Sequence, residues 1–319
     1  MTATLTLFHN GLSAGVSGMP NHNAKRGGLA GWSTGAARRH QHFLYSVNVD
    51  VIARECTVAY AFTLTVLVCP ESPKAWADAV NRFLLSMCRT LKCMRLHWVV
   101  EWQRRQVPHL HGCLFFPVED VPLPDHVVGA WCYLVRLGAR AIAQTVKPIT
   151  GLTGWLQYVA KHAARGVKHY QRSGDAIPPS WRGQTGRMWG HRGDWPLAEP
   201  LRFSLDGREG DGAFFPFRRL VRLSRIADAR LAITEAESWL ADAQVSGDSH
   251  RIESTKRRLT SACRRLVSAR RMLKCGNAKQ SEVRGVSEWF RPARAQMFLS
   301  NLLRRGYSIG LPSRETPGN

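Results

Sequence analysis

Two histidines one residue apart, His109 and His111, follow Glu101 by eight and ten positions, and Tyr158 and Lys161 lie about fifty residues further on. Alternate residues of an extended strand share a face, so the two imidazoles project together while Leu110 turns the other way. Residues 95–101 (RLHWVVE) are also strand-like, and a turn through Pro108 would fold them back antiparallel on 109–116. Glu101 would then stand beside both histidines. Two imidazoles and a carboxylate bind a divalent cation on one face and leave positions open for a phosphate oxygen. His97 and Gln103 share Glu101's strand parity and could take its place. Tyr158 and Lys161, three residues apart, share a helix face, which sets an ammonium near a phenol able to act as a nucleophile.

Three segments stand in order: FTLT at 62–65, HLH at 109–111 and YVAK at 158–161. Together they resemble the HUH endonucleases, the rolling-circle replication initiators of small phages and plasmids, over about residues 55–195. The resemblance implies an α+β fold: an antiparallel sheet with helices on one side, a ferredoxin- or RRM-like core with the metal on the open sheet face. It also implies Mg²⁺ or Mn²⁺ held by Glu101, His109 and His111, with Tyr158 as nucleophile and Lys161 favouring the phenolate or the charged phosphorus centre. In such enzymes attack on one strand of origin DNA leaves a 5′-phosphotyrosine and a free 3′-hydroxyl that primes a host polymerase. Two-tyrosine members carry a second tyrosine where this chain has His162, and the next family lysine position is Arg165. A single-tyrosine enzyme is therefore expected.

DNA contacts are expected from Arg38, Arg39, Arg104, Arg105, His162, Arg165, Lys168 and the GRMWG segment holding Arg187 and Trp189. No GxxxxGK[ST] loop occurs, so unwinding would fall to a host helicase. A conjugative relaxase or single-strand transposase would use the same residues. A metal-dependent hydrolase would use water and no tyrosine, and a non-catalytic nucleic-acid-binding regulator would bind without cutting.

Composition agrees with a polyanionic partner. The 319 residues carry 45 Lys and Arg against 23 Asp and Glu, a net charge of +22, and each phosphate neutralised releases condensed counterions. Eleven tryptophans offer faces on which unpaired bases of single-stranded DNA stack. Eight scattered cysteines without a CxxC pair suit reduced thiols, and no signal pattern or membrane-length apolar run is visible, so a soluble protein of the bacterial cytoplasm is expected. The composition does not fix the oligomeric state.

Three regions are expected: a flexible basic segment at 1–50, an endonuclease domain at 51–200 and a basic helical region at 201–319. Within the first, 32–45 reads as a short basic helix that either contacts DNA or caps the domain. A buried strand is expected at 57–68, and helices at 72–91, 125–137 and 152–164. Long helices are expected between 217 and 274, broken near Gly247, with Leu220, Leu223, Ile226, Leu231, Leu240, Leu259, Leu266 and Leu273 as their apolar stripe. They bind nucleic acid or a partner, or extend into solvent.

Overall fold

The computed structural model describes residues 2–17, 31–55, 58–117, 119–164, 169–206, 214–274, 285–289 and 292–310. The fold is α+β, with two five-stranded antiparallel sheets in two separate compact units. The larger unit comprises residues 8–10 and 21–199, the smaller residues 1–7, 11–20 and 200–319.

The larger unit is built on β3 (Val58–Thr65), β4 (Arg95–Trp102), β5 (Pro108–Phe116), β6 (Thr145–Pro148) and β7 (Trp189–Arg192), in the order β6-β3-β5-β4-β7. Both edge strands are only four residues long, and one ends in proline, which limits pairing with other chains. Helix α3 (Pro73–Arg89) starts where Ser72 Oγ accepts from the Ala75 amide and Pro73 fits the first turn. Its Trp76, Val80, Phe83, Leu84 and Met87 repeat at helical spacing and are buried against one sheet face. Helix α4 (Pro124–Val135) covers the same face with Val127, Trp131 and Val135; the Trp131 indole donates to Thr65 O at 3.0 Å and meets Phe83 edge-on at 5.1 Å.

Beneath these helices a row of side chains crosses four strands, alternating aromatic residue and glycine. Phe62 on β3 stands opposite Gly112 on β5, which stands opposite Trp98 on β4, which stands opposite Gly190 on β7. A Cβ at Gly112 would collide with the Phe62 ring and with the His97 carbonyl; one at Gly190 would lie 2.8 Å from the Trp98 indole. Each glycine thus gives its room to the aromatic ring beside it.

The other face is covered at one end by α1 (Thr34–Ser46), capped by Ser33. Its Phe43 stacks on His191 at 4.3 Å, and His40 Nε2 meets His97 Nε2 at 2.8 Å. The basic helix expected at 32–45 therefore caps the sheet, with Arg38 and Arg39 exposed. Helix α2 (Val49–Glu55) follows it, and α5 (Leu152–Ala164) has the bounds read from the sequence.

The smaller unit departs from expectation at its N-terminal end. Part of segment 1–50, expected to be flexible, forms β1 (Thr2–Phe8) and β2 (Gly11–Ser17), which pair with β8 (Leu201–Asp206) and β9 (Gly285–Trp289). With β10 (Ser308–Gly310) the order is β10-β8-β1-β2-β9. Helix α8 (Pro292–Arg304) closes its core, where Phe298 and Leu302 meet Leu5 and Leu12. Helices α6 (Phe214–Val245) and α7 (Ser249–Lys274) form a long hairpin; of the expected apolar stripe Ile226 is buried, but none of the leucines whose side chains are described is. Ala229, Ala236 and Ala243 on α6, with Thr255, Ala262 and Ala269 on α7, are the buried positions at seven-residue spacing, while Leu231 is exposed. Small residues let the two backbones approach closely, so leucines flank the contact instead of filling it. Among the described residues no helix is long and apolar enough to cross a membrane, and six cysteines are free thiols.

Candidate metal centre

The β4–β5 register puts Glu101 directly opposite His109, with His111 two residues along the same face. One ligand atom from each of the three lies within 4.8 Å of the others, so the group could hold a metal ion. Ligands at neighbouring corners of an octahedral ion bonded at about 2.1 Å stand about 3 Å apart; the Glu101 Oε2–His111 Nε2 separation of 3.7 Å is close to that. His97 and Gln103 do not compete for the carboxylate's place. His97 pairs with His40, and Gln103 Nε2 donates to Thr65 Oγ1 at 3.1 Å.

The electrostatics also suit a cation. Burial, with His111 and Arg105 close by, lowers His109 to about 3. Burial also lowers His111, and Arg172 adds to that, against the opposing pull of the Glu101 carboxylate. Both rings are therefore neutral near pH 7 and present lone pairs. Among the described residues the buried His109 Nδ1 finds no hydrogen-bond partner, the kind of orphaned atom a bound ion would satisfy. Removing either imidazole leaves too few ligands: His111→Ala is expected to weaken Mn²⁺ binding at least tenfold, read by calorimetry on the EDTA-stripped protein.

Two supporting residues go beyond the sequence motifs. Thr63 Oγ1 lies 2.8 Å from His111 Nδ1 and fixes that ring with Nε2 toward Glu101. Arg172, only 2% exposed, grips Glu101 Oε1 with Nε at 2.9 Å and Nη2 at 2.8 Å, leaving Oε2 for the histidine side. Its guanidinium lies over the Trp32 ring at 4.4 Å, and the Trp32 indole is held by Val100 O at 3.0 Å. The FTLT segment signals the strand bearing Thr63, whereas Arg172 sits in a loop after α5 with no local motif.

Tyr158 lies on α5 and is 52% exposed, its ring 5.7 Å from that of Trp155. The Trp155 indole approaches the Cys113 thiol, opposing the burial that pushes that thiol up to about 12. Cys113 is two residues beyond His111 on the same strand face, so α5 lies over the face that carries the ligands. Lys161 and His162 fall on α5 by backbone, while Arg165 and Lys168 lie outside the described residues. Arg104 is exposed, its guanidinium 5.4 Å from the Tyr170 ring, and Arg187 is exposed before β7. Arg105 instead ties down the chain after β3, donating to Val66 O and Leu67 O at 2.7 Å each. Trp189 is half-buried against His40 and Phe43.

The neighbouring His40–His97 pair carries a pH consequence. Burial lowers both, His97 to about 3. Below the unfolded value of 6.5 the unfolded chain therefore binds protons that the folded one refuses, so stability falls as pH drops from about 6.5 toward 3. Each such histidine contributes about 1.4 kcal/mol per pH unit. Urea unfolding in EDTA between pH 7 and 5 is expected to show a slope above one proton.

No family model matches the chain, and no solved structure matches it. Curated relatives do. A protein of Xylella fastidiosa strain 9a5c that carries a replication-protein name is 40% identical over 312 residues, 96% of this chain and 98% of its own length. A second, from strain Temecula1, is 39% identical over 292 residues, 89% and 98% of the two chains. A replication-associated protein of Pseudomonas phage Pf3 is 37% identical over 312 residues, 96% of this chain and 99% of its own. With likeness of that degree running nearly end to end, and a Glu–His–His cluster at the centre of the larger unit's sheet, the chain belongs to the family of replication proteins that includes the replication-associated protein of phage Pf3.

Proposed function

We propose that this protein initiates rolling-circle DNA replication by nicking one strand of an origin with Tyr158. The observation that carries the reading is the Glu101–His109–His111 cluster on the sheet face that α5 crosses, in a chain whose relatives are named for replication. A bound Mg²⁺ or Mn²⁺ would supply Lewis acidity to a non-bridging oxygen of the scissile phosphate.

The chain's own groups do the rest. Arg172 and Thr63 hold Glu101 and His111 in place, and the neutral histidines leave the site's negative charge to Glu101 alone. Tyr158 Oη attacks phosphorus in line; the new P–O bond forms as the bond to the 3′ oxygen breaks. The phenolic proton passes to solvent and the departing 3′ oxygen takes one up, so nothing is oxidised and no water is consumed. Lys161, three residues on along α5, would favour the phenolate and offset the charge gathering on phosphorus. The product is a 5′-phosphotyrosine and a 3′-hydroxyl for a host polymerase, with unwinding by a host helicase and later rejoining by the reverse attack.

The test is labelled single-stranded origin DNA incubated with Mn²⁺ or EDTA and run on a denaturing gel. The expected result is a metal-dependent, SDS-resistant protein–DNA band that disappears in Tyr158→Phe. Cleavage that survives that substitution would indicate a water-using metal nuclease, and binding without cleavage a non-catalytic regulator.

A further inference from the structure

The α6–α7 hairpin separates its charge by helix. Helix α7 holds nine Lys or Arg and one acidic residue, Glu253; α6 holds five Arg against four acidic residues. The separation follows the seam's own period. Arg257, Arg264 and Arg271 each stand two residues beyond a seam position, a rotation of about 200° that puts them on the side of α7 away from α6. All three are exposed. The period of seven that buries Thr255, Ala262 and Ala269 thus also writes a row of guanidiniums along the outer face, about 10.5 Å apart. On α6 the same period places Asp228, Glu235 and Asp242 each one residue before a seam alanine.

We propose that the outer face of α7 binds the phosphate backbone of duplex DNA. Twenty-six residues make a rod about 39 Å long, near the roughly 34 Å of one duplex turn. Duplex is favoured over single-stranded DNA because α7 contains no Phe, Tyr or Trp, and unpaired bases are held by stacking on aromatic faces as well as by charge. The hairpin's exposed Trp239 lies on α6 and is engaged by Arg258 at 5.4 Å. On α6 carboxylates nearly balance the arginines and leave little net pull on phosphate, so the hairpin approaches DNA by the α7 side. This contact reads no sequence; it anchors the protein on duplex whichever strand chemistry it performs.

The test is full-length protein carrying Arg257→Gln, Arg264→Gln and Arg271→Gln together, titrated onto a random-sequence duplex by fluorescence anisotropy from low to moderate KCl. Circular dichroism checks that the helices persist, as expected for exposed positions given a good helix former. The expected result is a loss of more than tenfold in duplex affinity at low salt, with the slope of log K against log [KCl] smaller by about 2.7, three phosphates at about 0.9 each. Binding of a short single strand and Tyr158-dependent nicking of a single-stranded origin are expected to be unchanged. A parental slope on duplex, or an equal loss on single strand, overturns the proposal. Absence of any tyrosine adduct in the parent protein would sink the nicking reading while leaving the salt slopes to decide this one.

Discussion

Gly112→Ala is expected to destabilise strongly the sheet that carries the Glu101–His109–His111 cluster. The added carbon would be driven into the His97 carbonyl of β4 and the Phe62 ring of β3. Neither can yield: the carbonyl belongs to a strand paired on both sides, and Phe62 is 2% exposed and packed edge-on to Phe83. Overpacking a tight core costs about 1–3 kcal/mol when side chains can shift. With backbone as one of the obstacles, a loss of about 3 kcal/mol or more is expected, measured as a lowered urea midpoint in EDTA. Gly190→Ala meets the Trp98 indole and is expected to cost less. Equal stability of Gly112→Ala and the parent would show that the strands are not packed this closely.

The second large effect concerns the buried ion pair. Arg172→Met is expected to destabilise the protein by about 3–5 kcal/mol in EDTA, because the Glu101 carboxylate would stay buried without its partner. In Mn²⁺ part of that loss should return, since a cation bound to Glu101 replaces the lost charge. Glu101→Gln should fail to respond to metal, because it removes a ligand as well as the pair. The double variant is expected to be less unstable than the sum of the two single losses, as residues in one contact are coupled. Urea unfolding of the four proteins with and without Mn²⁺ measures this directly. Identical losses for Arg172→Met in the two conditions would separate the arginine from the metal.

The parts of this structure written in local pattern are legible from the chain. The β4–β5 hairpin follows from strand parity, α3 from Ser72-Pro73 and its helical repeat, and α5 from a run whose bounds match the expected ones. The Glu101–His109–His111 cluster follows from the hairpin. What escapes is fixed by distant partners. Arg172 meets Glu101 across 71 residues, from a loop with no periodicity. Strand β1 finds β8 nearly two hundred residues later, so its Gly- and Ser-rich surroundings suggest a flexible segment. The α6–α7 seam is hidden for another reason. A search for large apolar residues finds the leucines, whereas close-packed helices bury alanines.

The row Phe62–Gly112–Trp98–Gly190 works as a key cut across four strands. A strand slipped by two residues would still face its side chains the right way, so the division into core and ligand faces would not reject it. Such a slip would carry Glu101 about 7 Å from its place opposite His109. It would also bring an aromatic ring of the row against a residue that has a side chain of its own. The bulky core face thereby proofreads the alignment of the polar one, and the spacing of the Glu101–His109–His111 cluster is copied from a pattern of rings and gaps on the far side of the same strands.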